Sequence, residues 1–140
     1  HSHLRISSEP IASDLIPQGK ADIIIAMEPM EALRYKHALS PEGWIVTAST
    51  PLINIPNYPE LDNILAELKS FGNINLIDAE GLAKDNKMPR SVNMILLGAA
   101  AKALELDIDT LSESVARVFG SKGEAIVEMN VNALKIGAGI

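Results

Sequence analysis

Cysteine is absent from this sequence. A chain without thiols forms no disulfide, offers no thiolate nucleophile and gives no cysteine ligand to an iron–sulfur cluster. Aromatic residues are also scarce, at 4% of the chain, so the core must be built from Ile, Leu, Val, Ala and Met. Basic charge is in deficit: 12 Lys and Arg stand against 18 Asp and Glu, a net charge of −6. That balance argues against nucleic acid or an anionic membrane surface as the main partner. No apolar run is long enough to span a bilayer, and no signal-peptide pattern opens the chain, so the cytoplasm is the expected compartment. The chain has no initiator Met and opens on His1-Ser2-His3-Leu4, as a fragment would.

What is present is enough for one domain with a real core. The 140 residues are 47% hydrophobic and 21% charged, which excludes a disordered chain. The organising stretch is Ala21 to Tyr35, ADIIIAMEPMEALRY. Ile23 to Met27 is short, β-branched and without polar alternation, the pattern of a parallel strand buried on both faces. Pro29 suits the first position of a helix, Glu28 its N-cap, and Glu31 its first turn, where negative charge meets the helix dipole. The stretch therefore predicts a strand, a tight corner and a helix, with acidic side chains at the strand's carboxyl end. In open α/β sheets, ligands and partners dock at that end.

Taken in order, Leu4 to Ile6 fits a strand end, broken by Ser7-Ser8-Glu9-Pro10, and Ile11 to Gly19 is an irregular link. The first helix is predicted from Pro29 to about Ala38, with Leu33 and His37 on the face of Met30. Pro41-Glu42-Gly43 reads as a turn and Trp44 to Ala48 as the second buried strand. Thr50 to Pro59 holds three prolines and is an extended loop. An amphipathic helix follows from Glu60 to about Phe71, stopped by Gly72. Asn75 to Ile77 is a third strand ending at Asp78, and Ala79 to Lys87 is helical. Val92 to Glu105 is a helix apolar nearly all round, hence central. Thr110 and Glu113 form a capping box for a helix to Phe119. The last helix spans Lys122 to Ile136, with Gly137 as its C-terminal stop. Strands alternating with helices predict an α/β fold, a doubly wound, mostly parallel Rossmann-like sheet with right-handed crossovers.

In such a sheet the strands' carboxyl ends share one edge, so Glu28, Thr50 and Asp78 form a polar rim under the proline-rich loop. Glu28 and Glu31 can in principle do acid–base work. The structural reading is stronger: both stabilise a helix start, and Glu31 with Arg34 is an ordinary exposed pair. His1, His3 and His37 match no ligand spacing, so no metal site is expected. Asn93 sits within the apolar helix and its amide needs a buried partner, either a loop or another subunit. Asn130 and Asn132 invite the same two readings. Arg90, near a helix start, can bind an anion or stay solvated. There is no Ser–His–Asp set and no phosphate-binding glycine loop. Gly137-Ala138-Gly139 has no strand before it and is no dinucleotide fingerprint.

Four blocks carry a family resemblance: SHLRIS at Ser2–Ser7, EPIASDLIPQGKADIIIAMEPMEALRY at Glu9–Tyr35, DAEGLAKDNKMPRSVNMILLGA at Asp78–Ala99 and EMNVNALKIG at Glu128–Gly137. Together and in this order they resemble the small subunit of indolepyruvate ferredoxin oxidoreductase. That subunit is similar to the gamma subunit or domain of pyruvate and 2-oxoacid:ferredoxin oxidoreductases. The resemblance implies one gamma-type domain over 1–140, lacking the strand, glycine-rich loop and helix with which the family opens. An apolar strand edge would then lie open, and a homodimer or poor solution behaviour is expected of the isolated chain.

The resemblance further implies a complex that oxidatively decarboxylates a 2-oxo acid to an acyl-CoA and passes electrons to ferredoxin. Thiamine diphosphate and iron–sulfur clusters would belong to a larger partner subunit, in keeping with the missing cysteines, and CoA would enter nearby. Glu28, Glu31, Arg34, Arg90 and Asn93 match family motif positions. With Thr50 and Asp78 they are expected at the subunit interface or the active-site rim and not in the bond-breaking step. Two rivals stay open: a stand-alone module binding CoA or a nucleotide, and a self-sufficient enzyme using Glu28 and Glu31.

Overall fold

The apolar runs pair as their lack of alternation demands. A computed structural model describes residues 1–140. It contains strands β1 (Ala21–Ala26), β2 (Leu39–Ala48) and β3 (Ile74–Ile77), all parallel, in the order β1-β2-β3. Around them lie helices α1 (Pro29–Arg34), α2 (Leu61–Lys69), α3 (Ala79–Asp85), α4 (Val92–Ala103), α5 (Ile108–Phe119) and α6 (Glu124–Ala138). No helix is long and apolar enough to cross a membrane.

The central strand β2 explains the two layers. Successive side chains of a strand point to opposite faces. Ile45 packs with Ala26, Ala32, Ile64 and Leu68 under α1 and α2. Val46 and Ala48 pack on the other side with Ile77, Ala83, Ile95, Leu96, Ala99 and Ala133, under α3, α4 and α6. Helices thus cover both faces, the doubly wound arrangement expected. Leu68, Ile95, Leu96 and Leu134 are fully buried, each contributing about 1.5–3 kcal/mol of burial.

The closest helix contact is the crossing of α4 and α6, and two glycines make it. A Cβ on Gly98 would stand 2.0 Å from the Leu134 carbonyl oxygen, and one on Gly137 would stand 1.8 Å from that of Ile95. Gly137 is therefore not the stop expected of it. It lies inside α6, which runs to Ala138, and what fixes it as glycine is the backbone of α4.

Other expectations shift for identifiable reasons. Pro41-Glu42-Gly43 is not a turn but a bulge within β2. Between the pairs Ala21–Leu39 and Ile23–Trp44, β1 advances by two residues and β2 by five. Pairing with β1 on both sides overrides the local turn signal. Helix α5 begins at Ile108, capped by Asp107, whose carboxylate accepts from the Thr110 amide at 2.8 Å and the Thr110 hydroxyl at 2.6 Å. Thr110 is thus the capped residue and not the cap. Helix α1 ends at Arg34, and a separate 3₁₀ turn covers Lys36–Ala38. Leu4 to Ile6 joins no strand, and Leu4 and Ile6 are exposed. β1 is therefore not the strand buried on both faces that its composition predicts: it is an edge of the sheet, paired only to β2, with Ile25 46% exposed.

Candidate functional site

Because all three strands run the same way, Glu28 after β1, Thr50 after β2 and Asp78 after β3 stand at one edge. The corner at Glu28 is built from its backbone. Glu28 is extended, with φ −154° and ψ 154°, and Pro29 starts α1. The Glu28 side chain then folds back, and Oε1 accepts the Glu31 amide at 2.6 Å. Its other oxygen, Oε2, accepts the Tyr58 hydroxyl at 2.7 Å. Glu28 is only 6% exposed, covered by the loop that carries Tyr58. Burial, then the hydrogen bond to Glu28 and its negative charge, push the Tyr58 hydroxyl from 10.0 up to about 12. Tyr58 therefore stays protonated and holds the loop to the corner.

Around this latch is a cleft of about 60 Å³, lined by Glu28, Met30, Glu31, Arg34, Leu52, Asn54, Ile55 and Tyr58. Ligand pockets typically run to about 300–1,000 Å³, so this cleft is small for a cofactor. Glu31 and Arg34 meet at 3.3 Å, both well exposed, an ion pair of small energetic worth.

The remaining expected residues lie outside this cleft. Thr50 is half-buried at the start of the loop. Asp78 caps α3, accepting the Gly81 amide at 3.0 Å. Arg90 is exposed just before α4. Asn93 is exposed in the first turn of α4, so the buried partner expected for its amide does not exist: that turn shows this face to solvent. Asn130 is buried, and its amide donates to the Ile126 carbonyl at 2.8 Å, one turn back in α6. Asn132 is exposed. Tyr58 is not among the site residues expected from the sequence, where it only leads with Pro59 into the second helix. The available signal was an aromatic set between Pro56 and Pro59, where a hydroxyl needs an acceptor if the ring packs down.

A larger cleft of about 440 Å³ lies at the opposite, amino end of the strands, lined by Trp44, Ile74, Asn75, Ala99, Lys102, Ala103, Glu105 and Ile140. The Lys102 ammonium donates one hydrogen bond to the Ile140 carbonyl at 2.6 Å.

The donor set answers whether this chain suits the cofactors of ferredoxin-linked enzymes. With no cysteine, and no group of three His, Asp or Glu placed to hold a metal, its residues do not fit an iron–sulfur cluster. At the carboxyl edge the helix N-termini that would receive a diphosphate already carry Glu28, Glu31, Asp78 and Glu80. Those carboxylates repel phosphate oxygens, so the helix starts at this edge do not by themselves suit a diphosphate.

Comparison with known proteins identifies the chain's relatives. The family model for pyruvate ferredoxin/flavodoxin oxidoreductase matches residues 1–140. Indolepyruvate oxidoreductase subunit IorB of Archaeoglobus fulgidus is 30% identical over 144 residues, covering 96% of this chain and 69% of that protein. The protein of the same name from Methanothermobacter thermautotrophicus is 30% identical over 138 residues, covering 92% of this chain and 69% of its own length. That from Thermococcus kodakarensis is 30% identical over 139 residues, covering 92% and 67%. With the fold and these matches agreeing along its whole length, the chain belongs to the pyruvate ferredoxin/flavodoxin oxidoreductase family.

Proposed function

We propose that this chain is the small, non-catalytic subunit of a cytoplasmic 2-oxoacid:ferredoxin oxidoreductase that takes an aryl pyruvate such as indolepyruvate. The complex converts the 2-oxo acid and CoA to an acyl-CoA and carbon dioxide, and two electrons leave to ferredoxin. Thiamine diphosphate and the iron–sulfur clusters reside on a large partner subunit and supply the carbanion and electron-transfer chemistry there. This chain contributes one gamma-type domain and shape. Glu28, Glu31, Arg34, Thr50, Asp78, Arg90 and Asn93 lie at the subunit interface or beside the active-site rim.

The observation that carries this reading is the match to indolepyruvate oxidoreductase subunits over nearly the whole chain. The corner supports it: Glu28 spends one oxygen on a helix start and the other on Tyr58, and the cleft beside it is too small for a substrate. The test is reconstitution. Each subunit is purified alone and together, and indolepyruvate- and CoA-dependent ferredoxin reduction is measured. Turnover is expected only when the large subunit is present. Turnover by the isolated chain that disappears in Glu28→Gln would overturn the reading in favour of a self-sufficient enzyme.

A further inference from the structure

The loop of residues 50–59 is built to present apolar side chains outward. Leu52 is 64% exposed, Ile53 68% and Ile55 39%, and Met27, one residue before the corner, is 55% exposed. Leu52 and Ile55 line the same cleft as Glu28 and Met30, so they share one patch at the carboxyl edge of the sheet, with Ile53 between them in the chain and Met27 next to Glu28. Contiguous apolar surface of this kind marks interaction sites; isolated exposed residues do not.

A floppy loop would collapse such side chains onto the domain, and this one is held open. Pro51, Pro56 and Pro59 fix φ at three positions. The hydrogen bond from Tyr58 to the buried Glu28 carboxylate ties its far end to the corner. Pre-organisation of this sort lowers the entropy lost when a partner binds. The patch is also bordered by negative charge. Directly after the loop, Glu60 is the N-cap residue of α2 and Asp62 lies in its first turn; Glu31, in the first turn of α1, is paired with Arg34.

We infer that Leu52 and Ile53 are the anchors by which this chain docks on its large subunit, seated in an apolar recess bordered by lysine or arginine side chains. The inference rests on the reading above that the chain works as a subunit, and it names the surface and the chemistry that meets it. An acidic border facing a basic one steers association and makes its rate depend on salt. The apolar anchors set how long the complex lasts.

The experiment uses the full chain and the thiamine-dependent large subunit of the organism that makes it. Binding kinetics are measured for wild type, Leu52→Asp/Ile53→Asp and Val118→Asp. Val118 is a 71% exposed residue on α5, away from the patch in the chain, and serves as the control. Thermal melts establish that all three are folded. The double variant is expected to weaken binding at least about thirtyfold, the size of one hot-spot side chain. Val118→Asp should bind as wild type does, and high salt should slow association of wild type. Wild-type affinity in the folded double variant overturns the inference and leaves the subunit reading standing. If the double variant instead breaks up a homodimer of this chain and leaves large-subunit binding intact, the patch belongs to a second copy and the inference fails. If wild type itself does not bind the large subunit, both readings fall together.

Discussion

Replacing Gly137 with alanine sets two known effects against each other. In a helix interior, alanine is favoured over glycine by about 1 kcal/mol, so local propensity alone says Gly137→Ala stabilises α6. The crossing with α4 says otherwise. The new Cβ would stand 1.8 Å from the Ile95 carbonyl oxygen, 2.7 Å from its carbon and 3.0 Å from the Ala99 nitrogen. These are backbone atoms of a buried helix and no rotamer change moves them. Contacts under 3.0 Å essentially never occur for real Cβ atoms, so the helices must part by about 1 Å. A gap of 0.5–1 Å forfeits roughly a quarter to a half of each dispersion contact along the seam, and Ile95, Ala99, Ala133 and Leu134 all lie there, buried. Overpacking of this kind costs about 1–3 kcal/mol and occasionally more, and a rigid backbone neighbour puts it at the upper end. After the propensity gain, net destabilisation is about 2 kcal/mol. For a domain of this size that lowers Tm by roughly 4–8 °C. Gly98→Ala should behave alike. The double variant should lose less than the two losses added, because helices already parted by one Cβ meet the second more loosely. Gly139→Ala, with no neighbour nearer than 3.5 Å, is the control and should stay within about 0.5 kcal/mol of wild type. A higher Tm for Gly137→Ala would refute the close crossing.

Tyr58→Phe removes the hydroxyl that donates to Glu28; hydrogen bonds to charged groups are worth about 1.5–3 kcal/mol, so stability at neutral pH should fall and proteases should cut residues 50–59 faster. An unchanged digestion rate would mean the latch does not hold the loop. The same group sets an alkaline limit. Its hydroxyl ionises near 10.0 unfolded and at about 12 folded, so its contribution is complete below pH 10 and is lost as pH rises through 12. That part of the alkaline destabilisation should be missing from Tyr58→Phe. At the acid end, hydrogen bonds from the Thr110 side chain and amide hold Asp107 below the ordinary carboxylate range. The cap is thus present above that range and lost as pH falls through the folded value. Asp107→Ala should speed amide exchange in the first turn of α5, with Asp107→Asn restoring protection; equal exchange in all three would show that the cap is idle.

The sheet was readable because its signals are local. Ile23–Met27 and Trp44–Ala48 are short, largely apolar runs and Asn75–Ile77 a shorter one; the second and third sit within observed strands, and the first does so up to Ala26, with Met27 just past the strand end. Three prolines between Thr50 and Pro59 announced a loop, and Glu28-Pro29 announced a capped helix. What stayed hidden depends on distant partners. The bulge at Pro41–Gly43 looks like a turn until β1 is laid beside it. Gly137 looks like a helix end until α4 crosses it. Asn93 was misplaced because α4 is apolar on nearly every face, so its sequence does not say which face meets water. Tyr58 needed a partner 30 residues away.

The corner also shows why a paired-carboxylate motif is weak evidence for acid–base catalysis. A general base needs a lone pair directed at space that a substrate can fill. At Glu28 the two oxygens point at an amide and a phenol, both structural donors, and the adjoining cleft, about 60 Å³, is small beside ordinary ligand pockets of about 300–1,000 Å³. Glu31 has room but faces solvent and Arg34, where a carboxylate is neither desolvated nor aimed. Negative charge at a helix start stabilises the helix whether or not anything is bound, so the fold alone accounts for the acidic pattern. The same residues leave the edge acidic and hold the proline-rich loop in one conformation. Shape and charge of that kind suit recognition, which depends on a surface that is already in place.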